Sequence, residues 1–274
     1  MTLPPVLLKG DELLESDPGA QYDKSRDLSK YLLMHYGSFE EMFDRTPHPL
    51  ADAYGYCQRL SDLLRVCAER TGTTVARALD VGCNVGGLSH ALGRWVTDEV
   101  VGIDASMRSV GIAQTLTEHG GGSFCVIEEG PFYREVHVRV PEPEDRARVR
   151  FEVGDGNRLR AHRPGAFDAV VLSNVLDRVW QPEACLEQLS ASADVLRDGG
   201  LLMVSCPWAW FAEFSHPSEW LGSAANRTPS AEVLKTMLSA DFDLLAEANE
   251  PGVLRENARE YNYFESHVTV WRKR

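Results

Sequence analysis

The sequence predicts an α/β fold in which helices cover both faces of a seven-stranded, mostly parallel sheet. Three observations predict it: seven short β-rich runs follow residue 76, helix-sized segments separate most of the first five, and a glycine-rich turn follows the first run. Right-handed βαβ units join parallel strands, so this alternation is typical of α/β proteins. The last two runs have no clear helix between them, so we expect an antiparallel pair at the sheet edge. The predicted strands are residues 77–82, 99–104, 148–154, 167–174, 200–206, 242–248 and 267–273.

Two amphipathic segments precede the first strand. Residues 23–43 and 50–70 carry apolar and aromatic side chains at helical spacing, which predicts two helices that each bury one side. Residues 71–76 break the pattern. We therefore expect an N-terminal helical cap over residues 1–75 and a main domain over residues 76–274.

Two insertions interrupt the alternation of strands and helices. Residues 123–140 form two alternating runs around a Glu-Glu-Gly-Pro turn, which predicts a β-hairpin outside the main sheet. Residues 207–222 hold three of the six tryptophans just after the fifth strand. Because open α/β sheets bind ligands at the carboxyl ends of their strands, this second insertion either caps the core or contributes to a ligand site.

Composition narrows the class of partner. The 274 residues are 43% apolar, enough for a substantial core, and carry a formal net charge of −13. This charge repels nucleic acids and anionic membranes, so we expect neither as a partner and favour a small molecule. No stretch approaches the roughly 20 consecutive apolar residues that a membrane span requires. The first residues do not resemble a signal peptide, which predicts a cytoplasmic protein.

The cysteines show no sign of a metal site. The six cysteines contain no CxxC pair and no metal-like spacing to His35, His48 or His90. Such a pattern is typical of free, mostly buried thiols in a reducing compartment. We therefore expect no bound metal.

The glycine-rich turn excludes two phosphate-binding motifs. A dinucleotide fingerprint needs a glycine where Asn84 stands, and no Gly-Lys-Ser/Thr follows for a P-loop. What remains is an Asp-x-Gly-x-x-x-Gly pattern formed by Asp80, Gly82 and Gly86. This pattern resembles the first motif of class I S-adenosylmethionine-dependent methyltransferases. The resemblance implies a Rossmann-like fold, S-adenosylmethionine as the cofactor and S-adenosylhomocysteine as its product.

Polar residues after the next three strands agree with this resemblance. Asp104 ends the second strand about 20 residues further on, where a carboxylate can accept hydrogen bonds from both ribose hydroxyls. Asp155 follows the third strand, where the family contacts the adenine amine, and Ser173 and Asn174 follow the fourth. The expected cofactor-binding residues are Asp80, Gly82, Cys83, Asn84, Gly86, Asp104, Ala105, Asp155, Gly156 and Ser173.

Three further segments carry a closer resemblance. Residues 22–37, 206–222 and 254–274 resemble the C-terminal methyltransferase domain of the bifunctional ovothiol-synthesis enzymes, the 5-histidylcysteine sulfoxide synthase and 4-mercaptohistidine N1-methyltransferase family. The resemblance implies methylation of an imidazole nitrogen of a histidine that carries a thiol. The sulfoxide-synthase half with its iron site is not in this sequence, so we expect a separate upstream enzyme to supply the acceptor. A histidine that carries a selenol is then a second possible acceptor.

A zwitterionic amino-acid substrate needs a cation for its carboxylate and an acceptor for its ammonium group. Arg255 and Arg259 lie on one face if their segment is helical, and Tyr31 and His35 share a helix face at i and i+4. His35 is the expected proton acceptor if one is used, because its ordinary pKa suits the task. The expected catalytic residues are His35, Tyr31 and Asn174, and the expected substrate-binding residues are Tyr36, Trp208, Glu213, Arg255, Glu256 and Arg259.

Two other functions fit the same motifs. One is a methyltransferase for another small acceptor, at nitrogen, sulfur or oxygen. The other is a module that binds the cofactor without turnover.

Overall fold

The computed structural model describes residues 4–14, 21–162, 166–190 and 194–274. The strands within these ranges are β1 (Val6–Leu8), β2 (Arg77–Val81), β3 (Glu99–Asp104), β4 (Gly121–Glu129), β5 (Phe132–Arg139), β6 (Val149–Val153), β7 (Phe167–Ser173), β8 (Leu196–Cys206), β9 (Phe242–Arg255) and β10 (Tyr261–Lys273). The helices are α1 (Ser25–Tyr36), α2 (Phe39–Met42), α3 (Tyr56–Thr71), α4 (Gly87–Gly93), α5 (Met107–His119), α6 (Pro143–Arg146), α7 (Leu159–His162), α8 (Pro182–Ser190) and α9 (Ser230–Leu238).

The main sheet confirms the predicted fold class. Its strand order is β6-β3-β2-β7-β8-β10-β9, and only β10 runs antiparallel to its neighbours. Strand β8 begins before the predicted residue 200, because its pairing with β7 tolerates an irregularity between Phe167 and Ala169.

Alternating side chains bury both faces of this sheet. In β2, Ala78 packs on the face covered by Leu60 of α3. Its neighbour Leu79 packs on the opposite face with Leu186 of α8 and Leu234 of α9. Successive side chains of a strand point to opposite faces, and burying each leucine contributes roughly 1.5–3 kcal/mol. Helices on both sides therefore hold the central strands in a dry interior.

The predicted hairpin at residues 123–140 is present as β4 and β5. A short strand that the sequence analysis did not predict, β1, pairs in parallel with β4 to make a separate three-stranded sheet. This sheet packs against α1, where the Ser29 hydroxyl donates to the Cys125 carbonyl at 2.6 Å.

Strands β9 and β10 extend well beyond their predicted limits. Strand β8 ends at Cys206 opposite His267, so residues 261–266 pair with β9 alone. The two-stranded ribbon thus passes the carboxyl edge of the sheet. Tertiary contacts hold it there: Val253 is buried among side chains of α1, and Arg59 of α3 pairs with Glu250 at 2.8 Å.

All six cysteines are unpaired, and five of them are buried. Across the ranges described above, we find no helix with both the length and the apolar character needed to cross a bilayer.

Candidate active site

The carboxyl ends of β2, β3, β6 and β7 meet at one edge of the sheet, since these strands are parallel. The glycine loop, residues 82–86, joins β2 to α4 at this edge. The backbone N–H groups of Gly82 and Cys83 both donate to the carbonyl of Ile103, at 2.8 and 3.0 Å. The loop is therefore fastened to the end of β3.

Two glycines of the loop are required by the packing of the protein itself. Gly82 has φ of +74°, and a Cβ there would lie 2.6 Å from a methyl group of Val175. Gly86 has φ of +91°, and a Cβ there would lie 2.5 Å from the ring of Phe151. Both conformations strongly favour glycine. The loop backbone therefore runs unusually close to its neighbours at the carboxyl edge.

Asp104 ends β3 beside the glycine loop. One carboxylate oxygen accepts from the N–H of Ser106 and the other from the N–H of Asn84, each at 2.8 Å. Burial raises the pKa of Asp104, whereas these two N–H donors oppose the shift. Each oxygen keeps a further lone pair, to which one hydroxyl of a diol can donate a hydrogen bond. The carboxylate thus fits the ribose of S-adenosylmethionine.

Asp80 lies beneath the loop rather than at its surface. The side chain accepts a 2.6 Å hydrogen bond from the Ser89 hydroxyl, and the residue is only 1% exposed. Burial raises the pKa of Asp80 to about 7. Its position corrects the expectation of direct contact with the cofactor, since the carboxylate supports α4 from inside.

The ends of β3 and β6 form a partly apolar rim. Asp155 follows β6 and is half-buried, and its Oδ1 accepts from the N–H of Asn157 at 2.8 Å. Met107 and Val153 are both exposed here. Gly156 and the exposed Ala105 complete this rim. A flat purine can pack on such apolar surface while Asp155 accepts from its amine.

Helix α1 lies across the glycine loop. The Nδ1 atom of His35 accepts a 3.0 Å hydrogen bond from the N–H of Gly87. Burial lowers the pKa of His35 to about 4. Its Nδ1 lone pair is occupied and the neutral ring carries its proton on Nε2, so the structure speaks against the expected role as a proton acceptor.

The segment that precedes α1 is held by an arginine that the sequence analysis missed. Arg178 donates through Nε to the Tyr22 hydroxyl at 2.8 Å, and its guanidinium lies over the rings of Phe211 and Phe214, at 4.9 and 5.2 Å. Tyr31 packs beside Tyr22, with ring centroids 6.0 Å apart. Arg178 follows the end of β7 by only a few residues, which is the signal that could have found it.

Asn174 and Ser173 also lie at the end of β7. Asn174 has φ of +54°, and its Oδ1 is approached by the hydroxyls of Tyr56, Ser205 and Ser266. Trp208 follows β8 with φ of +55°. Its indole N–H is buried and has no hydrogen-bond partner within the described ranges.

Three predicted substrate residues do not reach this site: Tyr36, Arg255 and Glu256. Tyr36 is held by the carbonyl of Val85 and by His90, at 2.7 and 2.8 Å. Its phenol therefore braces α1 against α4.

Arg255 and Glu256 are engaged elsewhere, because residues 256–260 form the turn between β9 and β10 rather than a helix. The guanidinium of Arg255 donates to the Ile127 carbonyl at 2.9 Å and contacts the carboxylates of Glu128 and Asp44 at 3.0 and 3.2 Å. Glu256 pairs with Lys30 at 2.9 Å. Glu213 and Arg259 are exposed.

Comparison with known proteins matches the sequence to one family. A family described as a methyltransferase domain matches residues 52–249. Ubiquinone biosynthesis O-methyltransferases are similar: the protein from Xanthomonas campestris pv. campestris is 30% identical over 138 residues, 50% of this chain and 46% of that protein. The protein from Xylella fastidiosa is 32% identical over 138 residues, 50% of this chain and 44% of its own length. The chain thus spans about half the length of the curated relatives it matches.

Solved structures share the fold. The crystal structure of the cyclase SpnF superposes with a TM-score of 0.52 at 16% identity, covering 94% of this chain and 99% of SpnF. The N-terminal domain of EvdMO1 with bound S-adenosylhomocysteine gives 0.50 at 14% identity, with 95% and 100% covered. At these identities the likeness establishes the fold alone.

Proposed function

This chain belongs to the methyltransferase family that its residues 52–249 match, and we propose that it methylates an imidazole nitrogen of a histidine that carries a thiol or selenol. Its cofactor is S-adenosylmethionine, which leaves as S-adenosylhomocysteine. A separate enzyme that forms a carbon–sulfur or carbon–selenium bond on the imidazole would supply the acceptor.

One observation carries the choice of acceptor. Two of the segments that resemble the ovothiol-synthesis family, residues 22–37 and 206–222, meet over the end of β7. Tyr22 lies 5.8 Å from Phe214 between ring centroids, and Arg178 contacts both of them. This meeting of the two segments near the carboxyl end of β7 supports the choice of acceptor, because open α/β sheets bind ligands at that edge.

The cofactor supplies a methyl group on a sulfonium, which an incoming lone pair displaces in line. The chain has to hold the imidazole nitrogen about 3 to 3.5 Å from that methyl carbon. Asp104 and the glycine loop fix the cofactor, and the rim around Asp155 holds its base. No strong base is required, because the attacking nitrogen already carries a lone pair.

Helix α1 acts as a cover that positions the reactants. His35 ties one end to Gly87 and Arg178 ties the other through Tyr22. A closed cover excludes water and strengthens every polar contact inside. We therefore assign His35 and Tyr31 to positioning rather than to proton transfer.

The acceptor would be held by Trp208, which follows β8 at the carboxyl edge of the sheet. The indole of Trp208 can stack on the imidazole. Glu213 remains a candidate for the ammonium group, whereas Arg259 lies in the turn between β9 and β10 beside Arg255 and Glu256. Arg255 and Glu256 are withdrawn from this role, because other side chains already bind them.

Release of S-adenosylhomocysteine from the purified protein tests the proposal. The acceptors are 4-mercaptohistidine, its selenium analogue, histidine and a catechol. We expect kcat/KM for the chalcogen-bearing histidines to exceed that for histidine by on the order of 10²-fold, since a site built around one polar group discriminates against its absence. The methylated atom is located by nuclear magnetic resonance.

The same assay separates the competing functions. Turnover of the catechol alone would establish an O-methyltransferase, the reaction that the curated relatives are named for. Calorimetric binding of S-adenosylmethionine without turnover of any acceptor would indicate a binding module. Either result would overturn the proposed acceptor.

A further inference from the structure

Three hydroxyl groups converge on the side-chain oxygen of Asn174. The Oδ1 atom lies 2.8 Å from the Ser266 hydroxyl, 3.0 Å from the Ser205 hydroxyl and 3.1 Å from the Tyr56 hydroxyl. The Tyr56 and Ser205 oxygens are themselves 2.5 Å apart. Helix α3 and strands β8 and β10 each contribute one of these groups.

One assignment of the hydroxyl protons satisfies all three groups. Tyr56 donates to Ser205, Ser205 donates to Asn174, and Ser266 donates to Asn174. In this arrangement each of the three protons has one acceptor, and Oδ1 accepts two hydrogen bonds.

The opposite orientation of the amide is unfavourable. Turning the NH₂ group toward the cluster would remove the oxygen to which the Ser205 and Ser266 hydroxyls donate. Both serines are 0% exposed, so neither proton could reach water. Buried hydroxyl protons without partners are costly. The cluster therefore fixes the orientation of the amide, with its NH₂ group pointing away from the hydroxyls.

The NH₂ group of Asn174 is left available to a ligand. No hydrogen-bond partner of Nδ2 occurs in the part of the chain that the structure describes, and the side chain is partly exposed. The next residue, Val175, packs directly on Gly82 of the glycine loop. The two N–H donors are thus placed at the junction between the cofactor loop and the acceptor site.

We propose that Tyr56, Ser205 and Ser266 are positioning residues that hold Asn174 as a hydrogen-bond donor to an anionic group of the acceptor. For the proposed substrate, on which this inference rests, that group is the ring thiolate or selenolate. The amide oxygen of Asn174 cannot accept a hydrogen bond from the acceptor, because it already accepts two from Ser205 and Ser266. A donor aimed at the attacking lone pair would block methyl transfer, so the amide binds the neighbouring chalcogen instead.

The test compares turnover of 4-mercaptohistidine with turnover of histidine in variants of Asn174 and of the serines that hold it. Asn174→Asp removes both N–H donors and adds a negative charge at nearly constant shape. We expect its kcat/KM for 4-mercaptohistidine to fall by about 10- to 100-fold, the range for losing a hydrogen bond to a charged group. Turnover of histidine should change much less, and the affinity for S-adenosylhomocysteine should stay within about threefold.

A second variant changes only the support. Ser205→Ala combined with Ser266→Ala lets the amide rotate, so KM for 4-mercaptohistidine should rise about tenfold while kcat changes little. Ser266→Thr keeps a hydroxyl at this position, so it should retain most of the preference for 4-mercaptohistidine over histidine. Ser61→Ala is the matched control: Ser61 lies on α3 with Tyr56, is equally buried, and accepts from Trp95 at 2.9 Å away from the site.

The outcomes distinguish the two proposals. A wild-type protein that methylates none of the histidines refutes the proposed function. If it does methylate them, and Asn174→Asp and the double serine variant keep the wild-type ratio between 4-mercaptohistidine and histidine, only the role of Asn174 is refuted. Thermal unfolding of each variant shows that a loss does not come from misfolding.

Discussion

His35 accepts a hydrogen bond from the backbone N–H of Gly87 at 3.0 Å, and this contact fixes the covering helix α1 to the first turn of α4. The contact requires an unprotonated Nδ1, which is consistent with the lowering of the pKa of His35 by burial. It also requires glycine at position 87. A Cβ there would come within 2.6 Å of the Cβ of His35.

Replacing Gly87 by alanine should therefore displace α1. We expect the free energy of unfolding to fall by about 1–3 kcal/mol, as for overpacking of a tight contact, and the affinity for S-adenosylhomocysteine to fall as well. Urea unfolding and calorimetry measure the two effects. Gly111→Ala is the control, because a Cβ at position 111 meets nothing within 4 Å; it should stabilise α5 by about 0.4–1 kcal/mol. Equal behaviour of the two variants would show that the contact is unimportant.

Asp104→Ala should weaken binding of S-adenosylhomocysteine by about 1.5–3 kcal/mol, or roughly 10- to 150-fold, the range for hydrogen bonds to a charged group. The two backbone donors at 2.8 Å orient the carboxylate before the ligand arrives. Calorimetry measures the loss. Asp98→Ala, an exposed carboxylate that precedes the same strand, should bind normally. A loss below about threefold for Asp104→Ala would mean that the carboxylate binds only the backbone N–H groups of Asn84 and Ser106 and not the cofactor.

Arg255→Met should destabilise the fold without changing KM for the acceptor. The Arg255 side chain is 1% exposed and binds Glu128 and Asp44, which tie β9 to β4 and to the chain after α2. Because both carboxylates are partly exposed and regain water, we expect a loss of about 1.5–3 kcal/mol, below the usual cost of breaking a fully buried pair.

Arg259→Met is the matched control for Arg255→Met. Arg259 is exposed in the same ribbon, and its replacement should change the free energy of unfolding by less than about 0.5 kcal/mol. A raised acceptor KM with unchanged stability in Arg255→Met would instead restore its predicted role as a carboxylate clamp.

Asp80→Asn should change how stability depends on pH. Burial raises the pKa of Asp80 from 3.8 to about 7 in the folded protein, so between these values the folded state binds more protons than the unfolded state. The free energy of unfolding of the wild type therefore loses up to about 1.4 kcal/mol per pH unit from this group as the pH rises. Asparagine removes that loss, and Ser89 can still donate to its oxygen.

Urea unfolding between pH 4 and 8 measures this difference. The stability of Asp80→Asn relative to wild type should increase with pH up to about pH 7 and then level off. Asp52→Asn, at an exposed carboxylate, controls for the loss of one charge. A constant offset between Asp80→Asn and wild type would show that Asp80 is ionised throughout.

Much of the site's frame follows from local sequence pattern. The β-rich runs, their separation by helices and the glycine turn predict a mostly parallel sheet with a ligand loop after its first strand. Parallel strands place their carboxyl ends at one edge, so the residues after β3, β6 and β7 were expected near the glycine loop, where the structure has them. These inferences succeed because strand periodicity and turn chemistry depend on residues only a few positions apart.

Tertiary structure alone decided what each polar side chain binds. Arg255 was expected at the acceptor, yet Glu128, distant by 127 positions in sequence, binds it. Asn174 was expected to be catalytic, and hydroxyls 31 and 92 positions further along the chain determine which side of its amide is available. The predicted role of His35 changed because of one backbone N–H in α4 and the burial of its ring. A buried polar group takes whichever partner the packed chain brings within hydrogen-bond distance, and no local pattern records that partner.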